Sequence, residues 1–277
     1  MRCHNTDMNI GTLFNTILIQ PIFNILLVFM FVLSTWRIPG ALGFSIIGLT
    51  ALFRLIFAPM YKKQIEMAMH MEELRPQLEK IQKKYKGNAQ KIQQEQLKLY
   101  QARGLNPASG CLVGLLQIPL VIALYQVLLK VFEKDGAKYF TDLTTQMAYT
   151  NFLRIKSIDP WFFGFNLAYT PSQFQQHGPH YLLIPIITAA LQYWQIASTQ
   201  KATPKKQESA EKDTKDGKPR EESFQEVFQK QSKFMFPMMV GYFSYILPVG
   251  LALYWNVFSL FSIFQAQQQK TWKTKQK

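Results

Sequence analysis

Acidic residues are scarce in this chain and absent from its apolar stretches. There are 17 Asp and Glu against 31 Lys and Arg among 277 residues, and none of the 17 falls within the long apolar runs. That argues against a proton or cation pathway built on carboxylates at membrane depth. Cysteine is nearly missing: Cys3 and Cys111 stand far apart, so no disulfide framework is expected. Nothing resembling a signal segment precedes Cys3, and no lipid anchor is expected there. Neither a cleavable signal layout nor an Arg- and Ser-rich transit peptide opens the chain. The four histidines, His4, His70, His177 and His180, show no metal-ligand spacing with each other or with the cysteines. No Gly-rich phosphate loop of the GKS or GKT type occurs, and no Ser, His and Asp arrangement can be argued. The expectation is a protein that is not an enzyme and needs no cofactor or metal. No convincing repeat relates the two halves, which weighs against a solute transporter built on inverted repeats.

What the chain does have is apolar runs near 20 residues, each long enough to span a hydrocarbon core of about 30 Å. The pattern predicts an all-α polytopic membrane protein with five core spans. Residues 1–40 hold an interrupted apolar segment, broken by Asn15, Thr16, Gln20, Pro21 and Asn24. It reads equally as a span or as a helix lying in the interface. The first core span covers 41–61. A polar helical hairpin follows over 62–106, with an apolar seam at Met67, Met71, Leu74, Leu78, Ile81 and Tyr85, a turn at Lys86–Asn88, and a helix start or kink at Pro76. The second span covers 107–132, an aromatic-rich loop 133–179, and the third span 180–199. A charged low-complexity stretch over 200–232 has no apolar period and is expected to be disordered. The fourth span covers 233–247, the fifth 248–266, and a basic tail 267–277.

The positive charge is not spread evenly. The hairpin, the stretch 200–232 and the tail carry 22 of the 31 Lys and Arg, while the 133–179 loop has four basic and four acidic residues. By the positive-inside rule the basic segments and the carboxyl terminus are cytosolic. The same charge suits anionic headgroups, and secondarily a ribosome, better than it suits specific nucleic-acid recognition.

Arg54 lies inside the first core span, in LGFSIIGLTALFRLIFAP. A guanidinium keeps its proton, and a charge at membrane depth marks function by default. Arg54 is eight residues from Lys62, or about 12 Å at helical rise, which is at the limit of snorkelling to the headgroups. Thr50 shares its helix face. Other spans offer only neutral polar groups: Gln117, Tyr125 and Gln126, Gln192 and Gln195, Asn256 and Ser259. Taken singly, these read as ordinary interhelical hydrogen bonds, and Tyr254 and Trp255 as packing or interface aromatics. If they converge, they line a wet cavity around an unneutralised positive charge that would attract a polar or acidic stretch of another chain.

The order of features resembles the YidC membrane insertase family of the YidC/Oxa/Alb superfamily. The resemblance rests on FRLIFAPMYKKQ, on the hairpin MEELRPQLEKIQKKYKGNAQKIQQEQLKLY, on LYQARGLNPASGCLVGLLQIPLVIALYQ and on LPVGLALYWNVFSLFSIFQAQ. It implies a five-helix core with a hydrophilic groove open to cytosol and lipid. The family's groove Arg falls on Arg54, and its polar neighbours fall on Thr50, Gln117, Tyr254 and Trp255. The resemblance also implies a mobile cytosolic hairpin needed for insertion, and it tips residues 9–34 toward an external interfacial helix. The NPASGCL segment favours a bacterial member, in the plasma membrane. Against larger members, the large extracytoplasmic domain and the separate amino-terminal anchor are not seen. The activity implied is ATP-independent insertion and chaperoning of nascent membrane proteins, with the ribosome and the Sec translocon as expected partners. A small-solute transporter or a structural subunit that pairs Arg54 with a partner's acid is the alternative.

Overall fold

The computed structural model describes residues 10–105, 118–119, 121–129, 131, 144–145, 147–153, 158–201 and 224–275. Cys3, Cys111, Gln117 and the charged stretch 202–223 lie outside the described residues, as do parts of the second span and of the 133–179 loop. The chain divides into two compact units, one within residues 1–56, 115–188 and 241–258, the other within 57–114, 189–240 and 259–277.

The first unit is built on a helical hairpin. Helix α1 (Ile10–Phe14) runs through a π-helical turn at Asn15–Ile19 into α2 (Gln20–Thr35), and α3 (Ala41–Ile56) follows. Trp36–Gly40 makes the turn, with Arg37 and Gly40 at positive φ. The two helices meet along apolar stripes: Ile22, Phe23, Leu26, Leu27 and Met30 of α2 are buried in one cluster with Leu42, Ile46 and Leu49 of α3. Residues 121–129, helical and contributing Ala123, Leu124, Val127 and Leu128, complete that core.

One polar residue inside the stripe has a defined task. Asn24 is buried, its amide nitrogen donates to the carbonyl of Met147 at 2.8 Å, and its oxygen accepts from the Tyr149 amide at 2.8 Å. The sequence marks Asn24 as an interruption; in the fold it fastens the 147–149 segment to α2.

The described part of the aromatic loop contains a small hairpin, β1 (Trp161–Phe162) paired antiparallel with β2 (Phe165–Asn166). Its two-residue turn has Phe163 and Gly164 at φ 46° and 83°, the positive values that such tight hairpins require. Phe162 packs edge-on against Phe44 of α3 with ring centroids 5.1 Å apart. A Cβ on Gly43 would overlap the Phe162 ring, so glycine is what lets the hairpin close on the helix. Beyond it, a short helix α7 (Phe174–His177) and a 3-10 turn (Pro179–Leu182) lead into α8 (Leu183–Lys201). The loop also caps a membrane helix: the Val249 and Gly250 amides at the start of the last helix donate to Tyr169 and Leu167 carbonyls, both at 2.9 Å. These would otherwise be unsatisfied donors at a helix start.

The last two helices are α9 (Phe224–Ile246), which carries Pro237 internally, and α10 (Val249–Lys275). The second unit includes the polar hairpin, α4 (Ala58–Glu73), α5 (Arg75–Lys84) and α6 (Ala89–Ala102). Pro76 lies in the first turn of α5, where its missing N–H costs nothing. Asn88 caps α6 by accepting from the Lys91 amide at 3.0 Å. Leu74, Leu78 and Tyr100 form the hairpin's own small core.

Two described helices are long and apolar enough to cross a membrane alone, Gly11–Thr35 and Val249–Gln268, and the pair Ala41–Ile56 with Ala58–Gln64 makes a third if it is one span. Within 41–61, the stretch expected as the first core span, the helix is interrupted. It stops at Ile56 and restarts at Ala58, because Pro59 cannot donate to the ladder and sits instead in the first turn of α4. Residues 11–35 have the length and apolarity of a span, one of the two readings that the sequence leaves open for this segment.

Candidate functional site

Arg54 sits in the last turn of α3. A cation there is favoured by the partial negative charge of the helix carboxyl end. The helix interruption at Phe57 creates that end, so the same proline that interrupts the helix improves the setting of the charge. Arg54 is only 3% exposed. One Nη atom donates to the main-chain carbonyl of Phe258 at 2.7 Å, and the guanidinium carbon lies 3.7 Å from the centroid of the Phe258 ring. Phe258 is in the interior of α10. A helical carbonyl has two lone pairs and can accept this bond beside its ladder bond.

Thr50 is buried one turn before Arg54, and its hydroxyl donates to the Ile46 carbonyl at 2.6 Å. That bond leaves its oxygen as an acceptor only. Tyr254 is buried one turn before Phe258, with ring centroids 6.1 Å apart. Trp255 and Tyr125 are half-buried against the same apolar core. Asn256 Oδ1 is buried with no hydrogen-bond partner among the described residues. In this unit, then, the first part of α10 brings Phe258 to Arg54 of α3, with Thr50 and Tyr254 buried one turn before each. Gln192 and Ser259 are buried and belong to the second unit. Gln117 lies outside the described residues.

Phe258 is the residue that the sequence reading passes over. It stands four residues after Tyr254 on the same helical face, between the polar positions Asn256 and Ser259. A search for polar groups around Arg54 skips it because its contributions are a ring face and a backbone carbonyl. No group of three or more His, Cys, Asp or Glu that could hold a metal occurs among the described residues.

Apolar helices of membrane-spanning length packed around a buried guanidinium define the class: this is a helical integral membrane protein. The chain belongs to the 60Kd inner membrane protein family, whose model matches residues 16–276. Among its relatives, ALBINO3-like protein 1, chloroplastic, of Arabidopsis thaliana is 34% identical over 84% of this chain and 44% of its own length. The membrane protein insertase YidC of Treponema denticola is 30% identical over 80% of this chain and 33% of its own length. A crystal structure of an active YidC insertase with its first transmembrane domain resolved shares the fold, with a TM-score of 0.50 and 24% identity over 88% of this chain and 45% of that one. The chain thus spans less than half the length of each of these three proteins.

Proposed function

We propose that the protein is a membrane insertase of the YidC type that passes nascent membrane proteins from the cytosol into the bilayer, and that Arg54 is the transient receptor for their polar parts. The observation that carries this reading is the setting of Arg54. The charge is buried at 3% exposure in a span, and its partners include a neutral carbonyl and a ring. The expected spans contain no acidic residue. A charge held in this way keeps a long-range attraction for a polar or acidic segment, strengthened by the low dielectric around it.

The energetics need no ATP. Once the polar tail is held, the apolar segment of the client partitions into lipid, and burial of its own apolar surface drives the step. The protein lowers the barrier for the polar part. Within the unit that holds Arg54, Thr50, Tyr125, Tyr254, Trp255 and Asn256 supply hydrogen-bonding and aromatic groups. The basic hairpin and tail face the cytosol of a bacterial cell, where they meet anionic lipid and a translating ribosome, with the Sec translocon as a further partner.

The test is insertion of a single-span substrate with a short polar tail into vesicles containing the protein. Arg54→Ala should lower the yield about tenfold, the weight of one hydrogen bond to a charged group. Undiminished insertion would remove Arg54 from the mechanism.

A further inference from the structure

Phe258 meets Arg54 in two different ways. Its carbonyl takes one edge of the guanidinium at 2.7 Å, and its ring covers a face at 3.7 Å. Face and edge are separate binding modes: stacking uses the quadrupole of the ring, and hydrogen bonding uses the N–H fork. The carbonyl is a neutral acceptor inside α10. A carboxylate is a stronger one, because it is charged and can engage the fork through two parallel bonds. A carboxylate reaching Arg54 therefore outcompetes the carbonyl at the edge, whereas a neutral amide has no such advantage.

We infer that Phe258 is a gate on Arg54. It holds the guanidinium buried between clients by standing in for the client's acceptor, and it yields to an incoming carboxylate. This rests on the reading of Arg54 as the receptor for polar stretches of a client. It makes Phe258 a positioning residue, one that sets how strong an acceptor must be before the charge becomes available. The ring raises that threshold through its attraction for the guanidinium face, and it is the part of the contact that a side-chain substitution alters while the backbone carbonyl stays.

The gate is read directly by the rate at which phenylglyoxal modifies Arg54, resolved by peptide mass spectrometry on the full chain in lipid vesicles. The exposed Arg103 serves as internal reference. Phe258→Leu keeps an apolar side chain and removes the π face; Phe258→Trp enlarges that face. Arg54 should react about tenfold faster relative to Arg103 in Phe258→Leu than in the unaltered protein, and no faster in Phe258→Trp. Equal rates in Phe258→Leu and the unaltered protein, or a Phe258→Trp rate as high as that of Phe258→Leu, would overturn the gate. Far-UV circular dichroism checks folding, and Phe258→Met, expected between Leu and Phe, replaces either variant that does not fold. A second readout compares insertion of a substrate bearing Asp in its tail with the same substrate bearing Asn. The advantage of Asp should shrink in Phe258→Leu; an unchanged advantage counts against the gate. If Arg54→Ala inserts normally while the order of reactivity holds, the receptor reading fails and the gate with it, and only the shielding of Arg54 by Phe258 stands.

Discussion

Arg54 and Asn24 show how a polar side chain survives in an apolar helix. Each engages the backbone of a segment distant in sequence: Arg54 that of Phe258, Asn24 that of Met147 and Tyr149. Their roles differ. Asn24 has both ends of its amide satisfied, so its contribution is structural. Asn24→Leu should leave the Met147 carbonyl and the Tyr149 amide without this partner and cost about 1–3 kcal/mol. That is measurable as a lowered thermal midpoint in detergent, with insertion per folded molecule unchanged. Arg54 is legible in the sequence as a charge in a greasy run. Asn24 is legible only as an interruption, because nothing local says which distant backbone groups need it.

At the scale of elements, close approach and exposed charge give contrasting expectations. The β1–β2 hairpin reaches α3 through the gap that Gly43 leaves for Phe162. Gly43→Ala must push the ring or the strand away, and overpacking of this kind costs about 1–3 kcal/mol. The same substitution in an isolated helix would be favourable, so a fall in thermal midpoint, and not a rise, checks the contact. On α6, Glu95 and Lys98 pair at 2.8 Å on the surface. The hydrogen bond from Lys98 holds the Glu95 carboxyl below its ordinary range, and the same bond raises the Lys98 ammonium. The Glu95 contribution is therefore present above the unfolded carboxylate pKa and fades as pH falls through the lower folded value. The Lys98 contribution is present below the unfolded lysine pKa and fades as pH rises through the higher folded one. The pair supports α6 across the neutral range and is weak because it is exposed and screened. Hydrogen exchange of α6 amides should show a small loss of protection toward acid that Glu95→Gln removes and that high salt diminishes.

For the molecule as a whole, the charge bias makes a topological prediction. With Cys3 and Cys111 replaced by Ser, a single cysteine at Lys83 in the hairpin should react with a membrane-impermeant maleimide only after cells are opened. One at the exposed Tyr149, in the 133–179 loop, should react in intact cells. Reaction of both from the same side would contradict the arrangement of basic loops on the cytosolic face. The contrast with Gly11–Thr35 is instructive, since its length and apolarity suit a span, while the family resemblance suggests a helix lying in the interface.

The sequence by itself determined the helical class, the family, the placement of positive charge and the singular position of Arg54. These depend on local quantities: apolar run length, residue type and charge count. The start of α5 at Pro76 and the cap of α6 at Asn88 are local as well, because proline and asparagine act on their own turn. The tertiary structure decided what Arg54 meets, how the 147–149 segment is held, and why Gly43 is glycine. Each is a contact between segments more than a hundred residues apart. Two of the three involve a backbone atom, which every residue type has and which no residue pattern can therefore announce. Phe258 is the clearest instance: its sequence label is an apolar helix residue, and only the folding of α10 against α3 turns its carbonyl and ring into the partners of a charge.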